Sequence, residues 1–146
     1  MFRWGRKRVR RRSRRTSSIT KHYQEHKESA RKLVLSRLGH FNQHYKLEWK
    51  RVAIRNQRRC WGSCSSLKNL NFNYKIQFLP THLQDYIIVH ELCHLTHLHH
   101  RREFWDLVAE QIPDYHLHVI ELKTISKKGN FVEYVSTSTE IQRFTK

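Results

Sequence analysis

The stretch His90-Glu91-Leu92-Cys93-His94 constrains this chain more than any other feature, because an HExxH can act only when it lies on a helix. Residues four apart on a helix differ by about 40° in angle and roughly 6 Å in rise, so both imidazoles reach one ion. Glu91 then falls beside the ion, where a carboxylate accepts a proton from the attacking water and passes it to a leaving amine. The neighbours Ile87, Ile88, Val89, Leu92 and Leu95 are apolar, as expected of a buried helix whose few polar side chains need partners. The chain must therefore wrap apolar layers around this helix and keep one side of it open.

Twelve histidines raise the question of coincidence. Composition alone gives roughly 0.06 chance HExxH matches in a chain of this length, and the apolar setting lowers it further. A catalytic zinc takes three protein ligands and keeps a fourth position for water. His97, His99, His100, Glu103 and Glu110 follow the motif as candidates for the third. His97 shares the face of His90 and His94 but sits a turn further on, where a short bond is strained, which places it at the rim. His100 stands six residues after His94, the interval of HExxHxxGxxH proteases, although His97 occupies the place of the glycine that turns the chain there. Spacing favours His100, with Glu110 the alternative for a site of the His2Glu type.

At 146 residues the chain fits one domain, and its formal charge of +17 is unevenly spread. The first 21 residues carry ten basic side chains and no acid, including Arg8, Arg10, Arg11, Arg12, Arg14 and Arg15. Such an arm cannot bury enough apolar surface to fold alone and is expected to stay disordered until it meets a polyanion. DNA or RNA suits clustered arginine through counterion release, whereas Phe2, Trp4 and Val9 would suit anionic lipid, and a solubilising tail is the plain alternative. No apolar run is long enough for a signal peptide or membrane span, so a cytoplasmic protein is expected. Three cysteines, an odd number, argue for a reducing compartment. The spacing of Cys60 and Cys64 is one residue too long for a CxxC zinc half-site, and Cys93 points away from the ligand pair into the core.

Ala30, Leu33, Val34, Leu38, Phe41 and Tyr45 recur at three and four and predict an amphipathic helix over 22–45, interrupted or weakened at Gly39. Val52 and Ile54 alternate with Ala53 and Arg55. A second alternation, Leu70, Phe72, Tyr74 and Ile76 against Asn71, Asn73 and Lys75, follows a turn-rich stretch at 65–69, so an antiparallel hairpin or small sheet is expected. Thr81 is the predicted N-cap of the motif helix, with Gln84 completing a capping box. A last helix is expected over 102–111 with Phe104, Leu107 and Val108 inward, closed by Pro113. No clear period follows Thr124. The expected organisation is an α+β domain at 22–123 between the basic arm, 1–21, and a tail, 124–146.

Several stretches in order resemble the YgjP-like metallopeptidases, relatives of SprT-like and other small zincin proteases. They are Arg55-Asn56-Gln57 leading to Cys60-Trp61-Gly62-Ser63-Cys64-Ser65, Asn69-Leu70-Asn71-Phe72-Asn73, Val89 to His94 running on to His100 and Phe104-Trp105, and Pro113-Asp114-Tyr115. The resemblance covers Tyr23 to Lys123. It implies a minimal zincin fold, a small antiparallel sheet packed on the metal helix, with His90, His94 and His100 holding Zn2+ and Glu91 as base. It also puts the Trp61–Cys64 strand beside the cleft, where an extended peptide pairs with an exposed edge and Trp61, Gly62 and Ser63 are substrate contacts. Cys60 departs from the family, in which a basic residue often precedes the tryptophan, and the arm is shorter than the N-terminal region of longer members.

The sequence therefore points to a zinc-dependent endopeptidase acting on a peptide or protein substrate, near nucleic acid if the arm concentrates it there. The alternative is a nucleic-acid- or ribosome-associated binding module whose histidines hold a structural zinc, and a loose metal-storing histidine strip is a third reading.

Overall fold

Between Arg14 and Leu38 the sequence contains neither glycine nor proline and is rich in arginine, lysine, glutamine and glutamate, all good helix formers. In the computed structural model, which describes residues 14–127, these residues form a single 32-residue helix, α1 (Arg14–Tyr45). It starts eight residues before the expected His22, so propensity carries the helix into the end of the basic arm. It also runs through Gly39, where a Cβ would meet nothing within 4 Å. Its buried stripe is Ala30, Val34, Leu38 and Phe41. The helix ends where Lys46 turns left-handed at φ 51° and Asn42 exchanges two hydrogen bonds with Leu47.

Three strands follow: β1 (Arg51–Arg55), β2 (Gly62–Cys64) and β3 (Asn69–Asn73), in the order β1-β3-β2. The expected antiparallel pairing of the two alternating segments is corrected. β1 runs parallel to β3, with Val52 opposite Leu70 and Ile54 opposite Phe72, and the antiparallel partner of β3 is β2. Residues 56–68 supply the dozen or so residues that a parallel crossover requires, and β2 is built from part of them. The α+β class stands; the sheet is mixed. Its register puts Ile54, Leu70 and Phe72 on one face, all buried, and Ser63, Asn69 and Asn71 on the other.

β3 also stops earlier than its alternation suggests. Asn73 is buried, and its side chain accepts from the backbone N–H of Lys75 and donates to the carbonyls of Gln57 and Cys60, which turns the chain into a 3-10 helix, Tyr74–Phe78. That helix packs on the N-terminal half of α1 through Tyr74 and Phe78 against His22, Tyr23 and His26.

The motif helix α2 (Thr81–Cys93) lies at the centre, in contact with α1, β2, α3 (Arg102–Ala109) and α4 (Tyr115–Lys127). Leu83, Ile88, Val89 and Leu92 are fully buried, each contributing about 1.5–3 kcal/mol of hydrophobic stabilisation. Arg37 clamps α1 to α2 through two 2.6 Å bonds to Asp85. The expected capping box is absent. Pro80 is the N-cap, and its carbonyl accepts from Leu83 and Gln84, while the Gln84 side chain donates backward to the carbonyls of Leu79 and Gln77. Its amide is more useful there, because those carbonyls are otherwise orphaned at the end of the 3-10 helix. Helix α4 is absent from the sequence reading: its core residues Val119, Leu122 and Ile125 are spaced by three, but the exposed Leu117 and Ile120 between them blur the period.

Candidate metal centre

Helix α2 ends one residue before His94, which is its C-cap, and the chain then tightens. Leu95 N–H donates to Leu92 and Thr96 N–H to Cys93, both three-residue spans. Among the described non-glycine residues only Lys46 and Lys68 have positive φ, so this turn needs no left-handed residue, and His97 takes the glycine's place in it without strain. The turn carries His100 back over the helix. Its Nε2 lies 3.2 Å from His90 Nε2, and His94 Nε2 lies 3.1 Å from the same atom. Around a tetrahedral zinc with nitrogen bonds of 2.0–2.1 Å, ligand atoms stand about 3.3 Å apart.

Protonation states agree with that geometry. His94 Nδ1 is 2.9 Å from the carbonyl of His97, which only accepts, so Nδ1 carries the proton and Nε2 presents its lone pair to the cluster. His90 Nδ1 faces the hydroxyl of Tyr86 at 3.2 Å. Burial, followed by His94 and His100, pushes the His90 imidazole down to about 3, and burial also lowers that of His94. Both are neutral at pH 7, the form that binds metal. Three lone pairs converging on one point repel unless a cation lies between them, so the residues fit a divalent metal.

The cluster is seated on α3. Phe104 stacks on His94 at 4.5 Å and meets His90 edge-on at 4.9 Å, while Trp105 stacks on His100 at 5.7 Å. Tyr115 in turn stacks on Trp105 at 4.8 Å. These rings fix the imidazole planes and exclude water from the inner side of the site.

Glu91 is 5 % exposed, and its Oε2 has no hydrogen-bond partner among the described residues. Burial pushes its carboxyl up to about 8. It lies under β2, where a Cβ on Gly62 would come within 2.7 Å of its Cγ and Oε1. Burial and the nearby Glu91 charge raise the thiols of Cys60 and Cys64, the latter to about 11, so neither is a thiolate at neutral pH.

β2 is an edge of the sheet. Asn73 N–H donates to the carbonyl of Trp61 and Ser65 N–H to that of Asn69, which makes Trp61, Ser63 and Ser65 the residues that bond across to β3. By the alternation of an antiparallel ladder, the backbone groups of Gly62 and Cys64 point outward. Just before β2, a cleft of about 390 Å³ is lined by Arg58, Arg59, Cys60, Trp61, Lys75 and Ile125 among others.

The sequence signature of the YgjP-like metallopeptidase domain matches residues 2–125. The chain belongs to the YgjP-like metallopeptidase family. As a member it is a metallopeptidase that acts on peptide or protein substrates through a divalent metal. Among solved structures it is similar in fold to the metallopeptidase zymogen abylysin of Pyrococcus abyssi, with a TM-score of 0.55 and 23% identity over 64% of this chain and 93% of that one. No curated protein matches significantly. No helix among the described residues is long and apolar enough to cross a membrane.

In this YgjP-like peptidase His90, His94 and His100 come together, whereas Glu110, the alternative third ligand, pairs instead with His44 at 2.7 Å. The rings of His97 and His99 face each other at 5.5 Å and lie outside the cluster, and Glu103 is exposed in the first turn of α3. Ser63 accepts from Asn71 at 3.3 Å, and Trp61 is half-buried against the core. Cys93 is fully buried, its thiol pushed up to about 12. Arg8, Arg10, Arg11 and Arg12 lie outside the described residues, and Arg14 and Arg15 begin α1. Tyr86 and Asn73 were not singled out by the sequence. Tyr86 could have been found from its place four residues before His90; Asn73 was hidden by an alternation that assigned it to the solvent face.

Proposed function

We propose that this chain is a zinc-dependent endopeptidase in which His90, His94 and His100 hold Zn2+ and Glu91 is the general base. The observation that carries the reading is the buried Glu91 carboxyl, whose Oε2 has no partner among the described residues, set between His90 and His94 on a helix whose two histidines converge with His100. Zinc, when bound, polarises the scissile carbonyl and favours ionisation of the attacking water. Glu91 accepts the proton as the C–O bond forms, then gives it to the nitrogen as the C–N bond breaks. An extended substrate adds as a strand to β2, its backbone bonded to Gly62 and Cys64 and its side chains against Trp61 and Ser63. The described residues gather three donors at the centre and no fourth, which favours an open catalytic site over the closed structural zinc of a binding module.

The reading extends to the chain as a whole. Residues 1–21 bind DNA or RNA and concentrate the peptidase near its substrates, in the cytoplasm; α4 carries the folded domain past the expected boundary at 123, to Lys127.

The test is zinc content per chain in protein purified without nickel or chelator, with activity measured in parallel. One zinc is expected in the wild type and in Glu91→Gln, with His100→Ala weakened, and Glu91→Gln should cleave about 10²–10⁴-fold more slowly. A Glu91→Gln protein that holds zinc and cleaves as fast as wild type would sink the mechanism.

A further inference from the structure

A second group of potential ligands lies outside the three-histidine centre. His82 sits in the first turn of α2, and His118 and Glu121 sit three residues apart on α4, hence on one face of that helix. His82 Nε2 is 2.8 Å from Glu121 Oε2, the rings of His82 and His118 are 5.2 Å apart, and one ligand atom from each of the three lies within 4.8 Å of the others. We propose that His82, His118 and Glu121 form a second transition-metal site that pins α4 to the start of α2.

The donor set decides the class of ion. Two imidazoles and one carboxylate suit zinc, cobalt or nickel rather than magnesium or calcium, which prefer oxygen. A simple His82–Glu121 ion pair would need no third donor. His118 nevertheless brings its ring to that pair, with its side chain only 12 % exposed and braced against Tyr86 at 5.9 Å. Asp114, the residue before α4, lies 3.6 Å from its Nε2, too far for a hydrogen bond. The side chains of His82 and Glu121 are 48 % and 38 % exposed, so water completes the coordination and the site is weaker than the three-histidine centre.

Position gives the site its consequence. Helix α4 otherwise packs into the core through Leu122, Ile125 and the half-buried Val119. The Tyr86 ring lies between the two centres, against His118 on one side and with its hydroxyl on His90 Nδ1 on the other. A metal at His82, His118 and Glu121 therefore fixes the helix that covers Tyr86, and stabilises the fold by mass action as the free metal concentration rises.

Equilibrium dialysis of the full chain against zinc chloride, with melting temperature followed in the same solutions, tests this. Wild type should bind two equivalents, the second more weakly, and the second should raise Tm further. His82→Ala, a substitution at a half-exposed position, should keep the first equivalent and weaken the second by more than the roughly tenfold that loss of an outer partner costs. Glu121→Gln, which keeps the side-chain shape, should do the same, and His100→Ala should weaken the first equivalent and leave the second, which separates this site from the catalytic reading. A wild type that binds one equivalent only overturns the proposal. So does a second equivalent that survives His82→Ala and Glu121→Gln and disappears when His97 and His99 are replaced by alanine.

Discussion

Gly62 lies directly against Glu91: a methyl group on its Cα would stand 2.7 Å from both the Cγ and the Oε1 of the carboxylate side chain. Glu91 is 5 % exposed, so its side chain is held within the fold rather than in solvent. Gly62→Ala should therefore push the carboxylate off its position without touching any of the three histidines. A misplacement of this kind costs on the order of 10²-fold in rate. The expected result is a kcat reduced by about that factor with one zinc still bound; an unchanged kcat would mean that β2 yields rather than Glu91.

Without metal, the same carboxyl gives the fold a distinctive pH dependence. Burial raises Glu91 from 4.5 to about 8, so between these values the unfolded chain has released a proton that the folded chain retains, and stability falls as pH rises, by roughly 5 kcal/mol at most. His90 acts in the opposite sense. Lowered from 6.5 to about 3, it stays neutral in the fold while the unfolded chain is protonated, so stability is lost as pH falls from 6.5 towards 3. The two slopes oppose each other between 4.5 and 6.5. Urea denaturation of metal-free protein should show a plateau there and a decline on both sides, and Glu91→Gln should abolish the decline between 6.5 and 8 and turn the plateau into a rise with pH, because His90 is then unopposed.

The sequence carried the centre better than its surroundings, for physical reasons. HExxH spacing follows from helix geometry, and the interval to His100 needs only a turn, so both are local and legible. Burial of Ala30, Val34 and Leu38 on α1, and of Phe104 and Val108 on α3, is likewise written in helical periodicity. Strand direction is not. The residues of β1 and β3 alternate identically whether the strands run parallel or antiparallel, and β2, three residues long with a glycine, shows no alternation at all. Asn73 illustrates a further limit: a polar residue in an alternating run looks exposed, whereas it is buried because three hydrogen bonds satisfy its amide.

Tyr86 shows how a residue outside the motif acts on it. Its hydroxyl faces His90 Nδ1 at 3.2 Å and so orients the ring that shares its Nε2 position with both other histidines. Loss of such an outer partner usually weakens metal binding by about 10–100-fold. Tyr86→Phe removes the oxygen and keeps the ring, so the fold should be retained. Competition with a chromogenic chelator should show a zinc affinity reduced within that range, and an unaltered affinity would remove Tyr86 from the centre.

Gly39 offers a test of the fold that leaves the site untouched. It is exposed within α1, and a Cβ there would meet nothing within 4 Å. Glycine in a helix interior costs about 1 kcal/mol relative to alanine, through its greater freedom in the unfolded chain. Gly39→Ala should therefore raise stability by about that amount in urea denaturation and leave peptidase activity unchanged.

The basic arm makes the last prediction. Arg8, Arg10, Arg11 and Arg12 precede the start of α1 at Arg14, so replacing them with glutamine removes four charges and leaves the packing of His22 and Tyr23 on the fold intact. If these arginines meet phosphates, affinity for duplex DNA or RNA should fall, and the slope of log affinity against log salt should shrink by roughly 0.9 for each duplex-DNA phosphate that is no longer neutralised. Cleavage of a short peptide that carries no nucleic acid should be unaffected, because those residues lie outside the catalytic helix and its strand. An unchanged salt slope would separate the arm from nucleic acid and leave the peptidase reading as it stands.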